Sequence, residues 1–559
     1  MTTRFSEFTY RRPDFSAFSQ EFKTLVADFK GAKTAQMQLE IVQQINKLRS
    51  VFLTQAKLAR IRYTQNTAAA FYSQEQEFFD ETEPLYEHLI HEYYQALVAS
   101  PFTKELAQNL GEQLFTWARQ ILQTFSSQVI DSLQAENKLI SRYKKLLGSA
   151  EISFAGKKCN LNELAFYQQL PDRAVRQEAY VARAQFFQQH EEEFAEIFYQ
   201  LVHLRTEIAR RLGFANFIPL GYLRRCRSDY NAQDVASFRQ KIKAYCVPLT
   251  EKIRHRQQRR LGLETFKFYD ESLFSPEGNP VPEGSPTEIL QQGMRMYAEL
   301  SPETGEFFAH MVERQLLDVF SRKGKAPGGY CDYIPAYEVP FIFANFNGTA
   351  QDVDVLTHEA GHAFQLWLSR PQIPEYEFPT MEAAEIPSMG MEFFTWPWME
   401  LFFGAQADLY RRQHLSEAFL FLPYGALVDH FQHEVYAQSH FTPKEHRKLW
   451  RQLEKEYLPY RDYDGIAFYE EGGYWYQQGH IFEVPFYYID YVLAQICVFA
   501  LWQRMHKDRQ QAWQDYLAFC RAGGSLSFFA LLPLANLSTP FAETAVKNST
   551  AYVQKWLNL

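Results

Sequence analysis

Thr357-His358-Glu359-Ala360-Gly361-His362-Ala363 is the stretch around which the rest of the chain is read. It has the form H-E-x-x-H. On a helix, residues four apart stack one turn above the other on one face. His358 and His362 are therefore expected to aim two imidazoles at one point, with Glu359 about a third of a turn round. Two neutral imidazoles can hold a zinc ion at about 2.0–2.1 Å. A carboxylate beside them can take a proton from an activated water. The plainer reading is two solvated histidines on an ordinary helix, so the neighbouring sequence has to supply the other parts of a site.

A catalytic zinc takes three protein ligands and keeps a fourth position open. An H-E-x-x-H-x-x-G-x-x-H continuation would provide the third, but the chain runs on as Ala363-Phe364-Gln365-Leu366-Trp367-Leu368. The alternative is a glutamate on a second helix. Glu382-Ala383-Ala384-Glu385-Ile386-Pro387-Ser388-Met389-Gly390-Met391-Glu392 offers three. Glu385 and Glu392 are seven apart and share a helical face. One can bind metal while the other orients a ligand histidine. Spacing alone does not choose between Glu382 and Glu385.

Upstream of the motif, Val339-Pro340-Phe341-Ile342-Phe343-Ala344-Asn345-Phe346-Asn347-Gly348-Thr349 is the best strand candidate, closed by Asn-Gly turn chemistry. Its position invites a second expectation, that its open edge receives an extended peptide by strand addition. An ordinary sheet strand fits the residues equally well. Downstream, Gly479-His480-Ile481-Phe482-Glu483-Val484-Pro485-Phe486-Tyr487-Tyr488-Ile489-Asp490-Tyr491 reads as a tyrosine-rich helix start after Pro485. Core packing is the default use of such rings. Their hydroxyls and the imidazole are also donors of the kind that stabilise a tetrahedral oxyanion.

The chain has 559 residues, 46% hydrophobic and 22% charged, within the range of folded globular proteins. Aromatics reach 16%, which points to cores or grooves built from rings. The net charge of −9 argues against nucleic acid as a partner. No apolar leader is seen, and the apolar stretch Tyr491 to Trp502 is too short to span a bilayer. Six scattered cysteines lack any C-x-x-C spacing, so neither a disulfide framework nor a thiolate metal site is expected. A reducing cytoplasm is the simplest expected location.

Helical periodicity covers Phe15 to Lys30, Gln36 to Thr64, Ser73 to Ser100 and Thr103 to Leu147. A small hairpin turning at Gly156 is expected over Glu151 to Leu161, then helices from Glu163 through Leu212, the last capped by Gly213. Thr265 to Pro286 reads as a loop, and Thr287 to Leu300 and Pro302 to Phe320 as helices. Arg322 to Tyr330 is a basic, glycine-rich connecting loop without the spacing of a phosphate loop. Arg224-Arg225-Cys226-Arg227 reads as a solvated or salt-bridged face, with a substrate carboxylate as its lesser use. Asp429 to Glu434 and His88 to Glu92 carry histidines beside acids but no metal-site order. The expected division is an N-terminal helical region, 1–150, and a catalytic region, 151–559.

The His358–His362 motif, Ala384-Glu385-Ile386-Pro387-Ser388, the interval between them and the lead-in Asn345-Phe346-Asn347-Gly348-Thr349 resemble the thimet oligopeptidase and oligoendopeptidase F family of zinc metallopeptidases. The resemblance covers roughly Gly324 to Leu493. It implies a mainly α fold, with two interlocked helical lobes around a deep substrate channel and a small β-sheet beside the zinc-binding helix. It implies one zinc ion held by His358, His362 and Glu385, with Glu359 as general base. It also implies that His480 and tyrosines contact the substrate and the tetrahedral intermediate, with Tyr487 the first choice, Tyr491 the second and Tyr488 directed elsewhere. In the thimet branch a Gly-Gly pair follows that histidine, whereas here Gly472-Gly473 precedes it. The expected partners are oligopeptide substrates, with neither nucleic acid nor membrane; a monomer is compatible with the sequence. Two rivals remain, a zinc carboxypeptidase or dipeptidase on a similar frame, and a peptide-binding protein with structural zinc.

Overall fold

The computed structural model describes residues 3–326, 328–370 and 373–559; Pro327, within the basic loop Arg322 to Tyr330, lies outside them. The architecture is helical with two small sheets. Two apolar cores organise it. The smaller joins Phe15–Gly31, Ala35–Gln65, Ala70–Val98, Thr103–Leu110 and Glu112–Ile121 through rings such as Phe22, Phe52 and Tyr93. The larger runs through the remaining helices, including Ile130–Gly148, whose Tyr143 stacks on Phe482 at 3.9 Å between ring centres. Among the described residues no helix is long and apolar enough to cross a membrane, and all six cysteines are free.

The expected helix over Thr103 to Leu147 is three helices. The first break is Gly111, at φ +91°, where an added Cβ would lie 2.5 Å from the Tyr376 hydroxyl. That hydroxyl accepts from Leu114 N and donates to Leu110 O, filling the groups the break exposes. Arg49 pairs with Glu375 at 2.7 Å. The segment Pro374–Tyr376 thus ties the N-terminal helices to the chain between the motif helix and the Glu385 helix. The helices expected over Glu163 to Leu212 are three: Leu161–Tyr167, Arg173–Gln189 and Glu191–Arg211.

The hairpin forms as expected, with β1 (Ile152–Phe154) antiparallel to β2 (Lys157–Cys159). In the larger sheet β3 (Leu317–Phe320) is a correction, because these residues were expected to continue the helix from Pro302. That helix stops at Glu313 and the chain turns through Gln315 at φ +58°. The sheet order is β3-β5-β4, with β5 (Val339–Phe346) parallel to β3 and antiparallel to β4 (Tyr330–Ile334). The strand expected to offer an open edge is therefore the central one. Phe341, Ile342, Phe343 and Ala344 are fully buried, as a continuous apolar run between two neighbours requires. The edge strands are β3 and β4.

The basic loop before β4 is structural. Arg322 and Lys325 both bind the Asp318 carboxylate of β3, and Lys325 also donates to the Phe320 carbonyl at 3.1 Å. After β5 the Asn347-Gly348 turn, with Gly348 at φ +83°, leads into the motif helix. Asp352 in that helix's first turn accepts from Asn347 N and Gly348 N, each at 2.8 Å. A carboxylate there also faces the positive end of the helix.

Candidate active site

The motif helix, Gln351–Ser369, packs along its length against the Glu385 helix, Met381–Phe394. Gly361 sets how closely they approach. A Cβ on it would stand 2.6 Å from Pro387 O and from Ser388 Cα. With no side chain in the way, Glu385 reaches the two histidines. Glu385 Oε2 lies 3.3 Å from His358 Nε2 and 3.4 Å from His362 Nε2. Donor atoms bonded to one tetrahedral ion at about 2.0–2.1 Å are about 3.3–3.4 Å apart, so this spacing fits one ion of that size. Among the described residues these three form the one group of histidine, cysteine or acidic side chains close enough to hold a metal. Burial opposes the charge of Glu385, but the two imidazoles hold its pKa well below the usual carboxylate range.

Further contacts orient the donors. His358 Nδ1 is 2.7 Å from Glu392 Oε1, which turns Nε2 towards Glu385. Glu392 Oε2 is in turn 2.7 Å from His414 Nε2, on the helix Ala407–Ala437. Ser388 Oγ donates to Glu385 Oε2 at 3.0 Å. Glu359 is 8% exposed. Burial raises its pKa, with the two motif histidines opposing the rise. Its Oε1 would be 3.5 Å from a Cβ on Gly329, so the start of β4 borders this carboxylate.

Glu382, the other third-ligand candidate, stands apart from the histidines. It is buried, and burial together with Asp490 raises its pKa to about 8, with Arg227 opposing. Of the decoys, His433 Nδ1 lies 3.2 Å from Asp429, which Arg239 also binds. His88 is a loose partner of Glu92.

The opposite wall comes from Gly479–Glu483 and the start of the helix Tyr488–Met505. Phe486 at φ +65° turns the chain sharply before that helix, and its carbonyl accepts from the buried Arg227. The next residue, Tyr487, donates its hydroxyl to Glu385 Oε1 at 2.5 Å. The Tyr487 ring stacks on His480, 5.4 Å between centres and 8° from parallel. Tyr491 packs 4.9 Å from Tyr487, and Glu385 and Glu359 both act on its hydroxyl electrostatically. Tyr488, expected to be directed elsewhere, also meets His480 edge-on at 5.0 Å between ring centres, besides packing on Phe421 and Tyr424; what sets Tyr487 apart among the described residues is its hydrogen bond to Glu385. Burial pushes the His480 pKa down to about 4, with Arg225 adding to the effect, so the ring is neutral near pH 7. Tyr424 donates to Gln478 Oε1 at 2.9 Å, leaving Gln478 Nε2 to donate to His480 Nδ1 at 3.3 Å. That arrangement puts the imidazole proton on Nε2, as a donor.

Residues 166–550 match the model of Peptidase family M3, and residues 5–125 match that of the Peptidase M3 N-terminal domain. The chain belongs to peptidase family M3. Among solved M3-like structures, one assigned to oligoendopeptidase F is 52% identical, covers 100% of this chain and 99% of its own, and has a TM-score of 0.98. PZ peptidase A, solved with an inhibitor, is 50% identical over 99% of both chains, also at 0.98. The curated oligopeptidase PepF of Bacillus subtilis (strain 168) is 23% identical over 291 residues. That match takes in 50% of this chain and 42% of PepF, so the chain aligns with less than half of that relative's length.

Three residues that contact this candidate site were not read from sequence. His414 is 22 residues beyond Glu392 with no motif around it, Ser388 was quoted only as part of a segment, and Gln478 lies two residues before His480 in a run of polar residues. Glu392, expected to bind metal or orient a ligand histidine, lies against His358 Nδ1 and outside the group of three converging donors.

Proposed function

We propose that the protein is a zinc-dependent endopeptidase that hydrolyses internal bonds of short or unfolded peptides. The observation that carries this reading is the convergence of His358 Nε2, His362 Nε2 and Glu385 Oε2 at tetrahedral spacing, with the buried Glu359 carboxylate alongside. Zinc held by these three residues would polarise the scissile carbonyl and lower the pKa of a water to about 7. Glu359 takes the proton from that water and passes it to the leaving amine nitrogen. Its raised pKa suits both halves of that task. His480 Nε2–H and the hydroxyl of Tyr487, with Tyr491 as the second candidate, donate to the oxyanion as it forms. Glu392 and His414 hold the His358 ring in register.

Deep burial supports a flexible substrate, since Glu385 is 2% exposed and a folded surface cannot present a bond there. The free edge of β4, beginning beside Glu359, is the better candidate for pairing with an extended peptide, in place of β5. The names of the 50–52% identical neighbours agree with peptide hydrolysis. Six free cysteines suit a reducing cytoplasm.

The test is turnover of an internally quenched peptide, abolished by a chelator and restored by zinc. Products from a peptide labelled at both ends must show internal cleavage. Release of single terminal residues would replace this reading with a carboxypeptidase, and zinc binding without turnover would replace it with a binding protein.

A further inference from the structure

Three arginines stand at the end of the helix Phe217–Arg224, and two of them are committed. Arg224 Nη1 donates to Glu136 Oε2 at 3.0 Å. Arg227, whose side chain is fully buried, donates to the Asp490 carboxylate and to the Phe486 carbonyl. Between Arg225 and Arg227, Cys226 takes φ +54°. A left-handed conformation is uncommon for a residue with a side chain and marks a strained, over-determined turn. Among the described residues Arg225 makes no ion pair and no side-chain hydrogen bond. Its guanidinium carbon lies 5.8 Å from the centre of the Tyr487 ring. That ring stacks on His480, and its hydroxyl reaches Glu385.

A half-buried guanidinium without an anion is an unusual thing to keep. Burial costs it hydration and lowers its pKa, and the Asp490 carboxylate, taken by Arg227 and Tyr230, compensates only from a distance. The group that would complete it is a carboxylate, which the planar guanidinium binds through two parallel hydrogen bonds.

We propose that Arg225 is a substrate-carboxylate subsite, binding an anionic group of the peptide within about three extended residues of the scissile bond, at ~3.3 Å per residue. The subsite rests on the endopeptidase reading above. The carboxylate has two sources, the C-terminus of a short peptide or an aspartate or glutamate side chain within a longer one. The first source makes the site a gauge of peptide length; the second makes it a side-chain preference.

Matched quenched peptides separate these. One is neutral and amidated, one carries a free C-terminal carboxylate at successive distances from the cleaved bond, and one is amidated with aspartate scanned through the same positions. Wild type is expected to prefer a carboxylate peptide over its neutral match by about tenfold or more in kcat/KM, the scale of one charge-assisted pair. In Arg225→Gln that ratio falls towards one, chiefly through KM, and Arg225→Lys keeps part of it. Whichever peptide series carries the preference identifies the source. A ratio unchanged in Arg225→Gln, no preference in wild type, or an equal loss on every peptide overturns the proposal; the last makes Arg225 a prop for Tyr487. Affinities of the same peptides for Glu359→Gln, with and without Arg225→Gln, read the subsite without turnover. A wild type that cleaves none of the peptides sinks the endopeptidase reading, while cleavage without charge preference sinks only the subsite.

Discussion

Gly361→Ala tests whether the approach of two helices builds the metal-binding group. A Cβ at this position would meet Pro387 O and Ser388 Cα at 2.6 Å and Pro387 C at 3.0 Å. All three are backbone atoms, so no side chain can swing aside. Ordinary contact begins at 3.4 Å, so the helices must part locally by 3.4 − 2.6 = 0.8 Å. His358 and His362 lie on one helix and Glu385 on the other, and metal sites tolerate about 0.2 Å in ligand distance. The zinc dissociation constant is expected to rise tenfold or more, and kcat/KM to fall about 10²-fold, the usual cost of a 1 Å misplacement. Overpacking costs about 1–3 kcal/mol, and the gain in helix propensity returns up to about 1 kcal/mol. The fold therefore survives, with a net loss of roughly 0–3 kcal/mol. Gly390→Ala is the internal control. It lies on the Glu385 helix, but its Cβ would meet only side chains of Tyr516 and Leu501, at 3.4 and 3.5 Å. Zinc affinity by competition with a chromogenic chelator, peptide turnover and thermal unfolding are the three measurements. Wild-type zinc affinity and turnover in Gly361→Ala would refute the reasoning.

Glu359→Gln should keep zinc at wild-type affinity and lose about 10²–10⁴-fold in kcat, as expected for removal of a general base; full turnover in a zinc-loaded variant would end that assignment. His414→Leu frees Glu392 Oε2, and zinc affinity should fall 10–100-fold although the mutated residue is no ligand; chelator competition with no change would refute its positioning role. Tyr487→Phe should lower kcat by about 10²-fold with KM little changed, and Tyr488→Phe, which has no hydrogen bond to Glu385 to lose although its ring meets His480, should not; equal effects would remove the distinction between the two tyrosines. Glu136 lies between Arg205 and Arg224, at 2.6 and 3.0 Å; burial opposes its charge, but the two guanidiniums bring its pKa down to about 2 from 4.5. A depressed folded-state pKa contributes stability that is present above 4.5 and lost as pH falls towards 2. Glu136→Gln should therefore cost about 3–5 kcal/mol near pH 7 and flatten the stability profile between pH 4.5 and 2, read by urea unfolding; an unaltered acid limb would refute the pairing.

What the sequence made legible was what repeats locally. His358 and His362 are one helical turn apart, and Glu385 with Glu392 two turns, so periodicity alone put each pair on one face. The helical class followed in the same way. Breaks were harder, because Gly111 ends a helix only through a hydroxyl 265 residues away, on Tyr376. The short strand Leu317–Phe320 was lost for a related reason. Four residues after a helix carry no period of their own, and their pairing with β5 is a tertiary fact. The edge expectation for β5 erred differently, because the signal was present. Phe341 to Ala344 are apolar without alternation, which marks a strand covered on both faces and so a central one rather than an open edge.

The two unspecified positions of H-E-x-x-H carry the same lesson. In this chain they are Ala360 and Gly361, both buried, and the motif as a pattern is silent about them. Gly361 is needed because the backbone of Pro387 and Ser388 occupies the place of its side chain. Pro387 lacks the N–H that would close its own helical turn, while its carbonyl is held by the Tyr516 hydroxyl at 2.9 Å. The contact that brings Glu385 to the histidines is therefore fixed from three sides, by the missing Cβ, the proline and the tyrosine. No one of these residues could ligate a metal or move a proton in this arrangement. They determine where Glu385 stands relative to His358 and His362, a relation that the spacing between the motif and the glutamate leaves open.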